Sequence, residues 1–172
     1  MKFVSLILGV GLIAASSLTA QESAQGDYIK LIDPLDEPEF YCFDLTGWRA
    51  SLALDDPLQA HTCKENGPDQ MFAFEGDRIE VVGYDRCLQA SGSSGTTLAG
   101  ATILARECSD TSTLQGFELD AAGKLHIKET GLCVGVGTSS GEASGPSHVW
   151  RALVVADCDL DDSLSTWQIG LD

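Results

Sequence analysis

The chain has 172 residues and a formal net charge of −16, with 26 acidic residues against 10 lysines and arginines. An acidic surface repels polyanions, so nucleic acid, acidic lipid headgroups and sulfated or sialylated glycans are poor partners on electrostatic grounds, although solubility alone would also explain the charge. The length suits one domain and is hardly enough for two.

Residues 1–20 have the pattern of a cleaved secretory signal. Lys2 precedes an apolar run from Phe3 to Ala15, and small and polar residues then lead to Ala20, where cleavage is expected. The run is shorter than the roughly 20 residues that a bilayer span needs, and no second candidate of that length follows. We therefore expect an exported protein, periplasmic or extracellular, with no membrane insertion.

Residues 21–40 are polar and acidic and contain Pro34 and Pro38, which favours a leader over a packed element. The domain is expected to occupy 41–172. Short runs of β-type residues follow, separated by stretches rich in Gly and Ser, and no long segment keeps a 3.6-residue apolar period. The chain is therefore predicted to be all-β. The clearest strand candidates are 78–82, 124–127 and 149–155.

Six cysteines divide into three pairs that recur with a fixed period. The first members lie 45 and then 46 residues apart, and their partners follow after 21, 21 and 25 residues. A fixed period indicates a repeated supersecondary unit. The count alone permits many pairings, but each repeat holds a complete pair, so the repeat pattern favours local disulfides. The predicted disulfides are Cys42–Cys63, Cys87–Cys108 and Cys133–Cys158.

Each unit also ends in an aromatic residue that a polar residue precedes by two places. These pairs are Gln70 with Phe72, Gln115 with Phe117, and Ser165 with Trp167. Aromatics at three equivalent places predict a shared core. Three related units around a pseudo-threefold axis would suit this length.

This combination resembles the ricin B-type lectin family, whose β-trefoil fold repeats a cysteine pair closed by a Gln-any-Trp signature. The resemblance spans about residues 41–170 and rests on the threefold agreement of cysteines, polar–aromatic pairs and spacing. Phenylalanine replaces two of the three tryptophans, and Ser165 replaces the third glutamine. The resemblance implies a β-trefoil of three repeats and a non-catalytic, lectin-like binding function.

In that family, a sugar site uses an aspartate just after the first cysteine, an aromatic two residues before the second, and an Asn-Gln pair before the tryptophan. Carboxylates and amides bond sugar hydroxyls, and an aromatic face stacks on the C–H face of the ring. The resemblance implies a carbohydrate site in the first repeat at Asp44, His61, Asp69 and Gln70. Asp69 departs from the family because it replaces an amide by a second carboxylate. Trp48 is a substitute platform for the small His61 ring.

Neither of the other repeats has a competent set at the same positions. The second repeat has Gln89, Arg106, Leu114 and Gln115, and the third has Gly135, Ala156, Leu164 and Ser165. We therefore expect weak binding of a neutral, galactose-type glycan or glycoconjugate through one site. Asp44→Ala is expected to abolish it with little change in melting temperature.

Structural interpretations of the same residues stay open. Gln70 and Gln115 would satisfy backbone groups near the core, and Asp44 and Asp69 would bond local amides in turns. The wider alternative is a degenerate β-trefoil that acts in protein interaction or as a structural envelope protein.

No hydrolase elbow, metalloprotease helix or phosphate loop is present, so no enzyme, catalytic residue, cofactor or metal is predicted. The acidic segments 55–56 and 157–162 lack the glycine and terminal glutamate of an EF-hand loop. His126 and His148 have no partner at a useful spacing and receive no role.

Overall fold

The computed structural model describes residues 26–143, 145 and 148–171. The predicted signal and the first residues of the predicted leader lie outside this part. Three 3₁₀ turns, at Arg49–Ser51, Pro68–Gln70 and Thr113–Gln115, accompany thirteen mostly short strands and one α-helical turn in the described residues. These elements are β1 (Ile29–Leu31), β2 (Tyr41–Asp44), β3 (Gln59–Thr62), β4 (Phe72–Glu75), β5 (Arg78–Val81), β6 (Arg86–Ala90), β7 (Ile103–Arg106), β8 (Phe117–Leu119), β9 (Leu125–Ile127), β10 (Leu132–Val136), β11 (Gly141–Glu142), β12 (Val149–Asp157), α1 (Asp162–Ser165) and β13 (Trp167–Ile169).

The strands are short because turn residues interrupt the chain. Within several of them, buried residues alternate with more exposed ones. β3 and β7 each bury every second residue, which is the pattern of a strand with one face on the core. The β4–β5 hairpin turns through Gly76, whose positive φ of 68° a glycine adopts without steric cost. All three predicted strand segments are strands in the structure, as β5, β9 and β12.

Twelve of the strands form three equivalent units of four, and β11 is an addition to the third unit. The units are β1–β4, β5–β8, and β9, β10, β12 and β13. One sheet has the order β13-β1-β2-β3-β12-β10-β9-β8, with β11 on β12, and the other has the order β4-β5-β6-β7. The pairing of β1 with β13 joins the two ends of the described chain. This architecture confirms the predicted β-trefoil.

Each repeat contains one disulfide in the predicted local pairing. The described residues contain no free cysteine. A crosslink that closes a loop of 21 to 25 residues restricts the unfolded chain and stabilises the fold by roughly 3 kcal/mol. The disulfide framework is thus local to each repeat, as the cysteine period indicates.

Part of the segment that was expected to be a leader is packed into the domain. β1 pairs with β2 and β13, and Ile29 and Leu31 are fully buried. The sequence pattern missed this strand because only three residues form it, between acidic and proline-bearing stretches. The first repeat takes its first strand from this segment, so the packed fold begins well before residue 41.

The signature aromatics Phe72, Phe117 and Trp167 are buried in one core cluster, which confirms the predicted shared core. The Phe43 ring lies edge-on to Trp167, with centroids 4.7 Å apart, and to Phe72, with centroids 6.0 Å apart. The indole N–H of Trp167 donates to the Val134 carbonyl at 2.8 Å. A buried tryptophan with a satisfied N–H contributes its full apolar area to the core.

A polar cluster connects the segment before β2 to the third repeat. Asp36 accepts hydrogen bonds from Tyr41, Ser140 and Arg151 at 2.8, 2.5 and 2.6 Å. Hydrogen bonds from Ser140 and Arg151 hold the pKa of Asp36 well below its ordinary value. Burial raises the pKa of the Tyr41 hydroxyl to about 12.

Within the described residues, the structure contains no helix of the length and apolar character that a membrane span requires.

Candidate functional site

Asp44 ends β2, directly after Cys42 and Phe43, and has no exposed surface. Its Oδ2 accepts a hydrogen bond from Gln70 Nε2 at 2.7 Å, and its Oδ1 accepts one from Gln59 Nε2 at 3.2 Å. A buried carboxylate is tolerated only where donors and a counter-charge compensate for lost hydration. The side chains around Asp44 supply both.

The counter-charge is Lys64, the residue directly after Cys63. Its ammonium lies 2.7 Å from Asp44 Oδ2 and 2.5 Å from Asp69 Oδ2, so it joins the two carboxylates. Burial raises the pKa of Asp44, and Lys64 opposes that shift. Burial alone would lower the pKa of Lys64, but the carboxylates, Asp44 foremost, outweigh it, and the pKa lies above its ordinary value. The like-charge conflict between Asp44 and Asp69 is thus relieved within the chain.

Gln70 supports this cluster from the core side. Its Oε1 accepts from the Lys64 backbone N–H at 2.8 Å, and its Nε2 also donates to the Thr62 carbonyl at 3.0 Å. In the second repeat, Gln115 bonds the Ser109 N–H, the Glu107 carbonyl and the Gln89 side chain in the same pattern. The conserved geometry of the two glutamines is therefore that of a structural clamp across the end of each disulfide loop.

An open cavity of about 600 Å³ lies beside this cluster. Two exposed tryptophans line it: Trp48 with 45% and Trp150 with 39% of its surface exposed. We call it the first-repeat cavity, and its lining residues are Asp44, Thr46, Gly47, Trp48, Ser51, Gln59, His61, Lys64, Glu142, Ala143, Gly145, His148 and Trp150.

Local backbone geometry holds Trp48 at the cavity. The preceding Gly47 has a φ of +100°, and a Cβ at this position would lie 2.2 Å from the Ser51 carbonyl oxygen. Only glycine fits this turn. The Trp48 ring faces the Lys64 ammonium, 5.2 Å from its centroid, at the distance of a cation–π contact.

The other side of the cavity comes from the third repeat. In the β3–β12 pairing, Trp150 lies directly opposite His61. The His148 ring lies 6.0 Å from the His61 ring. The cavity is therefore an interface between two repeats, and one repeat alone does not form it.

The structure places the four predicted site residues in two groups. Asp44 and His61 line the first-repeat cavity, whereas Asp69 and Gln70 lie behind it. Asp69 is buried and contacts Lys64 through Oδ2, while its Oδ1 has no hydrogen-bond partner. The suggested substitute platform, Trp48, does line the cavity.

Sequence reasoning missed Lys64, Trp150 and His148. Lys64 follows a cysteine in a position that the family pattern does not mark. Trp150 and His148 reach His61 only through the pairing of β3 with β12, which links distant parts of the sequence. The one signal for Trp150 that the sequence offered was its place in the predicted strand segment 149–155.

The equivalent place in the third repeat is filled. A Cβ on Gly135 would lie 2.7 Å from Leu160 Cδ2 and 3.0 Å from the Leu164 carbonyl oxygen. Lys124 Nζ contacts the Ser165 hydroxyl at 2.6 Å and Asp162 at 2.7 Å. The second repeat retains an open cavity of about 350 Å³, but its lining has no aromatic residue: Asp55, Arg86, Gln89, Arg106 and Glu107.

The described residues contain two groups with the spacing of metal ligands, but both consist of disulfide cysteines and one further residue. A sulfur in a disulfide is not a thiolate ligand. The acidic segments have partners within the chain: Asp161 caps α1 through the Ser163 N–H, and Asp162 pairs with Lys124. His126, given no partner from the sequence, bonds Asp120 at 2.8 Å.

Residues 38–167 match the family model of the ricin-type beta-trefoil lectin domain. No curated protein matches the sequence.

Several solved structures are similar to the chain. The earthworm lectin C-terminal domain mutant in complex with 6'-sialyllactose is 12% identical, has a TM-score of 0.61, and the match covers 85% of this chain and 98% of that chain. The earthworm R-type lectin C-half in complex with GalNAc is 10% identical, with a TM-score of 0.59 and coverage of 85% and 98%. The designed threefold-symmetric protein ThreeFoil is 14% identical, with a TM-score of 0.59 and coverage of 83% and 97%. At these identities the likeness shows the fold.

Proposed function

Because the chain belongs to the ricin-type β-trefoil lectin family, we propose that it binds a neutral glycan through the first-repeat cavity and catalyses no reaction. The observation that carries this proposal is the pair of exposed tryptophans, Trp48 and Trp150, in the same cavity as the Asp44–Lys64 ion pair. Aromatic faces beside a few fixed polar groups are typical of small-ligand sites. Sugar rings present the matching C–H face and hydroxyls.

The polar groups divide into those that meet the ligand and those that position them. Asp44 lies at the cavity wall but has no exposed surface, whereas Gln59 and Lys64 are partly exposed there and are both held by Asp44. Sugar hydroxyls therefore meet Gln59 and Lys64 first, and Asp44 orients these two donors. Asp69 and Gln70 act one step further back, since Asp69 holds Lys64 and Gln70 holds Asp44.

The glycan class follows from charge and resemblance together. Lys64 is already neutralised by two carboxylates, and Glu142 adds a further acidic group to the lining. The whole chain carries a net charge of −16, which disfavours sialylated and sulfated ligands. A neutral galactose-type sugar is the ligand we propose, and the GalNAc of the earthworm C-half complex is a sugar of this kind.

We further propose that the protein acts outside the reducing cytosol. Three disulfides and no free cysteine in the described residues fit an exported protein. One open site of this kind predicts a dissociation constant near 1 mM, about −4 kcal/mol. Effective capture of a glycoconjugate then requires several copies, because multivalency raises avidity without new contacts.

A glycan array with the oxidised, multimerised protein tests the proposal. Signal on neutral galactose-type glycans should fall at least about tenfold in Trp48→Ala and Trp150→Ala, because each loses a stacking face. Leu98→Ala is the matched control, since Leu98 is the most exposed large hydrophobic residue, with 73% of its surface exposed, and does not line the cavity. Binding that survives both tryptophan substitutions would place the site elsewhere.

Asp44→Asn tests the positioning role with less disturbance than Asp44→Ala. The amide keeps the volume but removes the charge that holds Lys64, so binding should weaken at least about tenfold. The expectation that Asp44→Ala leaves the melting temperature nearly unchanged is revised, because the structure shows Asp44 fully buried and bonded by three side chains.

A second candidate function rests on the Lys64 ion pairs. Because Lys64 pairs with one oxygen of both Asp44 and Asp69 within the chain, the carboxylates at the family's sugar-bonding positions are already engaged. A degenerate trefoil that uses the exposed Trp48 and Trp150 for protein interaction would have this arrangement. It predicts no binding signal on the glycan array. It also predicts that the protein specifically recovers an envelope or secreted protein, and that the Trp150→Ala variant does not. Without such recovery this alternative fails.

A further inference from the structure

The disulfide of the third repeat has a histidine beside it. Nδ1 of His126 lies 3.4 Å from Cys133 Sγ and 3.6 Å from Cys158 Sγ. The opposite ring nitrogen, Nε2, lies 2.8 Å from Asp120 Oδ2. The Asp120 carboxylate thus orients the imidazole with one nitrogen toward the disulfide, and the His126 hydrogen bond is the main cause of the lowered pKa of Asp120.

The position opposite the first cysteine holds a different residue in each repeat. Strand pairing places Lys30, Glu80 and His126 directly opposite the first cysteine of their repeats. The Lys30 ammonium turns away to the Leu171 carbonyl. The Glu80 carboxylate lies within 4.8 Å of both sulfurs of its repeat. Only His126 can donate a proton to a departing sulfur and then recover it from solvent.

We propose that Cys133–Cys158 is a thiol–disulfide exchange site for low-molecular-weight thiols, with His126 as the proton donor. Cys133 is fully buried and Cys158 is partly exposed, so an incoming thiolate attacks Cys158 Sγ. A new S–S bond forms between the thiol and Cys158, the Cys133–Cys158 bond breaks, and its electron pair passes to Cys133 Sγ. The imidazolium Nδ1–H protonates that thiolate.

The products are a mixed disulfide on Cys158 and a free Cys133 thiol. A cation beside the departing sulfur accelerates exchange because it stabilises the leaving thiolate. Asp120 acts as a positioning residue that holds the ring in place through its bond to Nε2. The net step consumes one external thiol and needs no other oxidant or reductant.

Other charged groups around His126 have their own partners or face it across the sheet. Glu118 lies opposite His126 in the β8–β9 pairing. Lys124 and Lys128 lie two residues to either side and pair with Asp162 and Asp77. Neither of these ion pairs competes with Asp120 for the imidazole.

Exposure of the cysteines alone would predict the opposite order of disulfide opening. Cys108 of the second repeat is exposed, whereas Cys158 is only partly exposed. If access to the sulfur decided the rate, Cys87–Cys108 would open first. The Glu80 carboxylate beside that bond repels an incoming thiolate and offers the departing sulfur no N–H donor.

The experiment exposes the oxidised protein to limiting reduced glutathione in native buffer, alkylates free thiols at intervals and maps the peptides. Cys133–Cys158 should open at least about tenfold faster than Cys87–Cys108, with glutathione on Cys158, since a positioned general acid contributes roughly 10²-fold or more. A faster Cys87–Cys108, or one common rate for all three bonds, would overturn the proposal.

Variants separate the chemical role of His126 from a structural one. His126→Gln retains a donor toward Asp120 but no acid toward the sulfur, so the rate advantage of the third repeat should disappear while Cys42–Cys63, the internal reference, keeps its rate. Asp120→Asn should reduce the advantage partly, and Glu80→His should accelerate opening of Cys87–Cys108. An unchanged rate in His126→Gln, or no gain in Glu80→His, counts against His126 as the proton donor.

Discussion

The first and third repeats have equivalent strands and an equivalent disulfide, yet the place two residues after the first cysteine opens onto a cavity in the first repeat and is filled in the third. In the first repeat, the residue two positions after the cysteine is Asp44, which faces Lys64, Gln59 and a cavity of about 600 Å³. In the third repeat that residue is Gly135, and Leu160 packs over it. A glycine lets a neighbouring side chain fill the place that a carboxylate and its donors occupy elsewhere.

The comparison shows that the trefoil scaffold tolerates either solution. The clamp behind the site persists as Gln70 in the first repeat, whereas Ser165 contacts the Leu160 and Asp161 carbonyls in the third. Both satisfy backbone groups near the disulfide loop, which the fold requires, because a buried unpaired carbonyl costs free energy. Binding groups are added to this clamp and are not part of it.

The largest effect on stability is expected from Asp44→Ala. The substitution leaves Gln59 without its carboxylate acceptor, Gln70 with only the Thr62 carbonyl, and Lys64 with one carboxylate. The free energy of unfolding should therefore fall by about 2–4 kcal/mol. Gln89→Ala removes only the bond to Gln115 and should cost about 1 kcal/mol. Urea denaturation of the two oxidised variants measures the difference. Equal losses would contradict the special role of Asp44.

Adding a methyl group to the third repeat should have the next largest effect. In Gly135→Ala the new Cβ meets Leu160 and the Leu164 carbonyl, so a loss of about 1–2 kcal/mol is expected. Gly137→Ala is the matched control, because its Cβ would lie 3.9 Å from Ala152 and meet nothing closer. The control should stay within about 0.5 kcal/mol of the parent. Thermal denaturation separates them, and an unaffected Gly135→Ala would mean that Leu160 does not fill the site.

A smaller, pH-dependent effect is expected at Asp36, which connects the first repeat to the third through Arg151. A carboxyl group whose pKa is lower in the folded state than in the unfolded state stabilises the fold at pH values above the unfolded pKa. This contribution is lost as the pH falls through the folded pKa. Asp36→Asn should therefore melt a few degrees lower at neutral pH, and the gap to the parent should narrow below about pH 4.

The exposed Asp56 provides the control for that titration. Asp56→Asn should follow the parent's melting temperature across the same pH range, because surface substitutions change stability by about 0.5 kcal/mol or less. If the difference in melting temperature between Asp36→Asn and the parent does not depend on pH, the charge of Asp36 does not stabilise the fold.

The smallest effect is expected from Gln89→Asp, which gives the second repeat the carboxylate of the first. Its cavity has no aromatic lining residue, so no glycan binding should be gained on the array. Stability should change by less than about 1 kcal/mol, since Gln115 keeps its bonds to Glu107 and Ser109. New binding would show that the tryptophans of the first repeat are dispensable.

Repeat architecture was readable from the sequence, because its signals are local and recur three times. The cysteine pairs close loops of 21 to 25 residues, and Phe72, Phe117 and Trp167 recur at equivalent places. The resemblance to the lectin family implied Asp44 and His61, and both line the first-repeat cavity. β1 escaped prediction because a three-residue strand in an acidic segment has too short a pattern to detect.

Tertiary structure alone decided which side chains meet across the repeats. Trp150 faces His61 only because β12 pairs with β3, and β1 is a strand only because β13 and β2 pair with it. Lys64 joins Asp44 to Asp69, and His126 lies against its disulfide, through side-chain positions that no spacing predicts. The sequence determined the units and their crosslinks because periodic local patterns specify them, whereas the cavity depends on how three units close into one barrel and bring distant residues together.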